Sequence, residues 1–175
     1  MNTMARRPLP FMTADDFLAW PGDGTGRTFQ LVDGEVRSLS PASRVHGLTQ
    51  ARIAYLLTLA IEAAGLPLQV SSEIAIQPRL NMSMNVRVPD VVVAPLTDER
   101  SEISAPDPVL IVEILSPGNK DDTRDNIRAY ATLPTVREMA VLSSTRVRAE
   151  VHRRLPDGSW APDPEIVKGP RHAFV

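Results

Sequence analysis

The sequence predicts an α/β domain: a central mixed β-sheet with a helix on each face, preceded by a β-hairpin. Three observations lead there. Two β-branched runs, Arg87-Val88-Pro89-Asp90-Val91-Val92-Val93 and Pro108-Val109-Leu110-Ile111-Val112-Glu113-Ile114-Leu115-Ser116-Pro117, have the composition of strands buried on both faces. Two segments with helical spacing and helix-start residues flank those runs. Asp33-Gly34 between two short apolar runs is a tight-turn signal.

Taken in order, residues 13–20 read as a short helix, with Thr13 as N-cap and Asp16 three places on in the manner of a capping box. Pro21-Gly22-Asp23-Gly24 ends it. Residues 28–32 and 35–39 form the hairpin around Asp33-Gly34, which supplies two positive-φ positions. Ser40-Pro41-Ala42-Ser43 opens the longest helix, from Arg44 to Ala64, closed by Gly65 and Pro67. Leu48, Tyr55, Leu56, Leu59 and Ala63 recur at helical spacing, so the expected apolar stripe runs through them, with Arg52 as its exception.

Residues 68–78 read as one strand, or two with a bend at Ser71-Ser72, and residues 79–85 as a loop. The Asp90 strand, a polar loop over residues 97–102 and the Glu113 strand follow. A second helix is expected from about Asp121 to Thr132, stopped by Leu133-Pro134. Residues 136–142 and 145–154 make a second hairpin, whose later strand alternates Val147, Ala149 and Val151 with polar residues. Pro156-Asp157-Gly158-Ser159 is a turn, and the proline-rich tail is given no element.

The totals narrow the function classes. At 175 residues the chain is most simply one domain across residues 1–175, and 43% hydrophobic content suits a packed core. No apolar run is long enough for a bilayer, so no membrane partner is expected. The first residues have no apolar h-region and do not read as a signal peptide. Cysteine is absent, which excludes disulfides and thiolate metal sites and fits a cytoplasmic protein. A formal charge of −2 means that nucleic-acid binding would need a local basic patch.

The chemistry-bearing residues are acids. A carboxylate on a core strand is costly unless paired, hydrogen-bonded or metal-bound. Asp90 and Glu113 stand on consecutive core strands, and if those strands are neighbours the two acids meet at one sheet edge. Two carboxylates with water suit Mg2+ or Mn2+. Such an ion lowers the pKa of its water and offsets charge on a phosphoryl oxygen, the two needs of phosphodiester hydrolysis. Lys120 is the lysine close in sequence, a candidate to orient the water. Arg124 and Arg128 lie four apart on one helical face and are candidate phosphate contacts. His46 at the start of the long helix and Glu73 on the preceding strand are further candidates for completing the site. Each has a plainer alternative: a strand-end cap for either acid, a solvated helix-start group for His46 and Lys120, a solvent-side strand residue for Glu73, an exposed helical face for the two arginines.

Pro89-Asp90 followed by Glu113 resembles the PD-(D/E)XK signature of restriction-endonuclease-like nucleases. A longer ordered set carries a closer likeness. Leu31-Val32-Asp33-Gly34-Glu35, Ser40-Pro41-Ala42-Ser43-Arg44-Val45-His46, Val88-Pro89-Asp90-Val91, Val112-Glu113-Ile114-Leu115-Ser116-Pro117-Gly118-Asn119, and Tyr130 with Leu133-Pro134-Thr135-Val136-Arg137-Glu138 resemble the Uma-type restriction endonuclease domain family. The resemblance implies a three-layer α/β/α core and a metal-dependent DNA endonuclease. It implies Asp90 and Glu113 as metal ligands, beside which Glu73 is a candidate to complete the metal's shell, and it makes a homodimer an expectation.

Two departures stand out. Leu115 occupies the superfamily's lysine position, and the place to which this family moves its lysine, four before Tyr130, holds Asn126 in a segment one residue shorter than usual. Gln30 stands where the family often has Glu. The alternative function is therefore a catalytically impaired member acting as a nucleic-acid-binding or self-associating module.

Overall fold

The computed structural model describes residues 9–96, 104–105, 107–116 and 120–169, the side chain of Lys120 excepted. The expected loop over residues 97–102 and the Pro117-Gly118-Asn119 turn lie outside them, apart from the strand ends they join.

Helix α1 spans Ala14–Ala19. The Thr13 hydroxyl accepts from the Asp16 backbone N–H, and the Asp16 carboxylate accepts in return from the Thr13 backbone N–H, a complete capping box. Strands β1 (Phe29–Val32) and β2 (Glu35–Ser38) pair antiparallel around Asp33 and Gly34, whose φ angles are 49° and 85°. Ala14, Phe29, Leu31, Val36 and Val86 form a small core beneath this hairpin.

Helix α2 runs Arg44–Ala64, with Ser43 as N-cap and Gly65 left-handed at its end. Strand β3 (Leu68–Ser72) then pairs antiparallel with β4 (Val91–Pro95), and β4 with β5 (Leu110–Leu115). Helix α3 (Lys120–Tyr130) carries the chain across to β6 (Glu138–Ser143), which lies parallel to β5. Strands β7 (Arg148–Arg153) and β8 (Glu165–Lys168) extend the sheet antiparallel. The six-stranded order is β3-β4-β5-β6-β7-β8, a mixed sheet with β5 and β6 as its parallel pair.

The central strands are apolar because both of their faces are covered. Ile53 and Leu57 of α2 line a shallow cleft together with Leu110, Val112 and Ala140 on the facing side of the sheet. Ile111 and Met139 point the other way, into a core with Tyr130, Leu133 and Val136. The period of two along a strand thus assigns α2 and α3 to opposite faces, and the α/β/α layering follows. No helix among the described residues is long and apolar enough to cross a membrane.

Three expectations need correction. The stripe Leu48, Tyr55, Leu56, Leu59 does not face the sheet: all four are exposed. The packed stripe begins His46, Thr49, Gln50 and continues through half-buried Ile53, Leu57 and Ile61. Both stripes obey helical spacing; polar bonds from His46 and Gln50 to the β4 end select between them. The bend after β3 falls at Glu73, whose φ is 54°, one residue beyond the expected place. The regular alternation of faces along residues 68–78, expected of a single strand, is therefore interrupted there. The tail contains β8, a strand with four exposed residues and no apolar alternation strong enough to announce it.

Candidate metal and nuclease site

The register of β4 on β5 builds the site. Val91 faces Val112, so Asp90, one residue before β4, stands across from Glu113. Their carboxyl groups lie within hydrogen-bonding reach of each other. Asp90 is tied down at both oxygens. Oδ2 accepts from the Ile114 backbone N–H at 2.6 Å, and Oδ1 lies 2.8 Å from His46 Nε2. An ionised carboxylate only accepts, so Nε2 carries the hydrogen of that contact. In the neutral imidazole Nδ1 is then an acceptor, and the Ser116 hydroxyl lies 3.2 Å from it. Ser116 Oγ in turn lies 3.3 Å from Ser144 Oγ.

Glu113 is held from α3. Its Oε1 accepts from the Tyr130 hydroxyl at 2.7 Å and from Asn126 Nδ2 at 3.3 Å. Positions 126 and 130 are one helical turn apart, so both donors descend from one face of α3 onto the same oxygen. Burial pushes the Glu113 carboxyl up to about 8, and the neighbouring Asp90 charge pushes the same way, against the two donors. Burial also raises Asp90, opposed by the Ile114 N–H and by His46. Tyr130 is raised well above its usual value by burial and by Glu113.

Gln50, one turn after His46, is the second polar residue α2 sends down. Its Nε2 donates to the Asp90 carbonyl at 3.0 Å and to Glu73 Oε1 at 3.4 Å. The Glu73 backbone N–H also donates to the Asp90 carbonyl, at 3.3 Å. Glu73 is thus beside Asp90 through main chain and Gln50, and its side chain is exposed. Among the described residues no group of three or more His, Asp or Glu side chains is arranged to hold a metal ion. The donor set at the pair is two carboxylates, which fits an ion that keeps most of its water, as Mg2+ does.

Lys120 opens α3, and its side chain lies outside the described residues. Arg124 and Arg128 are exposed and line a groove beside the acids rather than the acid pair itself. Arg128 lies 3.1 Å from Asp125. Residue-by-residue reading missed Gln50, Ser116 and Ser144 as partners. A signal existed for Gln50: His46 and Gln50 are an i, i+4 polar pair on one helix face. Asn126 was legible as a substitution, but its bond to Glu113 was not.

Comparison with known proteins places this geometry. The sequence profile of the Uma2 family, described as "Putative restriction endonuclease", matches residues 14–169. "Uncharacterized protein slr1290" from Synechocystis sp. is 25% identical over 155 residues, covering 87% of this chain and 80% of that protein. The crystal structure of a "putative nuclease belonging to DUF820" from Anabaena variabilis superposes with a TM-score of 0.70 at 16% identity, over 94% of this chain and 88% of the other, which establishes a shared fold. With the β-hairpin, the sheet, all three α-helices and both acids inside the matched span, the chain belongs to the Uma2 family.

Proposed function

We propose that the protein is a metal-dependent endonuclease that hydrolyses phosphodiester bonds in DNA, with Asp90 and Glu113 as ligands of Mg2+ or Mn2+. The observation that carries this reading is the cross-strand meeting of those two carboxyls. A divalent ion bound there would lower the pKa of a water and offset charge on a phosphoryl oxygen. Around it the protein's own groups have separable tasks. His46 and the Ile114 N–H orient Asp90. Tyr130 and Asn126 orient Glu113 through its Oε1. Gln50 fixes the main chain from which Asp90 projects. Such orienting partners typically matter by about 10–100-fold in metal affinity or activity.

One observation favours a second reading, binding without efficient cleavage. Asn126 occupies the position the family gives to lysine, and its amide is already committed to Glu113. It offers no positive charge to a developing phosphorane.

A single experiment separates the two. Mn2+ uptake is measured by calorimetry, and nicking of supercoiled plasmid is followed with Mg2+ or Mn2+. Asp90→Asn is expected to abolish both signals while the far-ultraviolet circular dichroism is kept. Cation uptake without nicking would support the binding-only reading, and neither signal in the wild type would remove the nuclease reading.

A further inference from the structure

The sheet face that carries α3 is not fully covered by it. A groove of about 830 Å³ lies between α3 and β7, floored by Val141 and Ile127. It starts at Leu115 and Ser116, at the C-terminal end of β5. Ser116 is the residue whose hydroxyl faces His46, the partner of Asp90, so this end of the groove lies beside the acid pair. Strands β5 and β6 are the sheet's parallel pair, and the space beyond the carboxyl ends of parallel strands is where such sheets bind ligands.

The charge there runs against the whole chain. The net formal charge is −2, yet Arg124, Arg128, Arg146 and Arg148 line this one groove against a single acid, Glu150. Glu150 is committed to Arg148 at 2.8 Å. Arg124 and Arg146 are exposed, from α3 and from the β6–β7 turn respectively, and neither is in an ion pair among the described residues. Two exposed guanidinium groups, one on each wall, are what phosphates along a strand need. Ser143 and Thr145 add hydroxyls of the kind that donate to phosphate oxygens. The residues lining the groove include no Phe, Tyr or Trp, and the half-buried imidazole of His152 is the one ring there on which an unstacked base could rest.

We propose that this groove is a track for the sugar-phosphate backbone of a nucleic-acid duplex, with Arg124 and Arg146 as its phosphate contacts and Ser116 marking where the strand reaches the acids. The inference deepens the nuclease reading and rests on it for what happens to the strand once it arrives. Binding itself is measured without cleavage.

The test is fluorescence anisotropy of a labelled duplex of about 20 base pairs, with the full chain in EDTA, across a salt series. The double variant Arg124→Gln, Arg146→Gln is expected to bind tenfold or more weakly. Its plot of log affinity against log salt should be flatter by about two, one unit per lost phosphate contact. Glu150→Gln removes the groove's acid and should bind two- to threefold more tightly. Arg37→Gln, on the N-terminal hairpin, should match the wild type. A double variant that stays folded and binds within twofold of the wild type overturns the proposal, as does a single strand that binds more tightly than the duplex. If the double variant does not fold, Glu150→Gln decides, and no gain in affinity overturns it. Mn2+ uptake is scored separately: its failure removes the nuclease reading and leaves the groove standing.

Discussion

Two buried ionisable side chains, on successive stretches of the same sheet region, are treated in opposite ways. Glu113 is 5% exposed and its Oε1 takes two donors, from Tyr130 and Asn126. Arg87 is 3% exposed, and only part of its donor capacity is used. Its Nη1 donates to the Leu31 carbonyl at 2.7 Å, while its Nε finds no partner among the described residues. The unused acceptor is close by. The Leu31–Val86 bridge is antiparallel, which sets Gln30 directly across from Arg87. The buried Oε1 of Gln30 is likewise without a partner among the described residues. The acid at the site is over-supported, and the base in the scaffold is under-supported. Positional tolerance explains the difference. Under the proposed function, Glu113 would present one oxygen to a cation and so needs its other bonds fixed, whereas a guanidinium that only joins a hairpin to the sheet does not.

The largest expected effect tests whether Glu113 really is a buried acid kept neutral by its surroundings. Its folded pKa, about 8, lies above its ordinary value of 4.5. The native protein therefore holds a proton that the unfolded chain releases. Stability without divalent ion is highest below about pH 4.5 on this account and falls as pH rises toward 8, where it levels. The change is on the order of a few kcal/mol. Urea unfolding in EDTA from pH 5 to 9 measures it, and Glu113→Gln should flatten the curve. A wild-type curve that rises over that range would break the contrast with Arg87.

Next in size is Tyr130→Phe. It removes one Glu113 donor while keeping the ring in the core, and should cost about 1–3 kcal/mol near pH 8, where the carboxyl is partly charged. At pH 5 the loss should shrink. An equal loss at both values would mean that the hydroxyl serves packing rather than the carboxylate.

The smallest effect sharpens the other side. Gln30→Glu places a carboxylate opposite Arg87, and should stabilise by about 1 kcal/mol at pH 7, the scale of a charge-assisted hydrogen bond after partial desolvation. The gain should vanish in acid as the new carboxyl protonates. A loss of stability at pH 7 would show that Arg87 is better satisfied than its bonds indicate.

Much of the fold was written locally. Thr13 and Asp16 set the start of α1, Asp33-Gly34 the hairpin, and Ser43 and Gly65 both ends of α2. Each of these signals is a contact between residues at most a few positions apart. The strands β4 and β5 were legible because burial on both faces demands uninterrupted apolar residues. β8 was not legible, because an exposed edge strand takes its structure from the ladder to β7 rather than from its own composition.

Of the candidate site, the sequence singled out Asp90, Glu113 and His46 among its candidates, and the family resemblance set Asn126 in the lysine's place. The tertiary structure decided the rest. It chose which stripe of α2 faces the sheet, brought Gln50 and Ser116 to the acids, and turned the Asn126 amide onto Glu113. Caps and turns depend on neighbours a few residues apart, which a string of letters already contains. Whether an acid 23 residues further on meets its partner depends on strand register, and register exists only once two strands have paired.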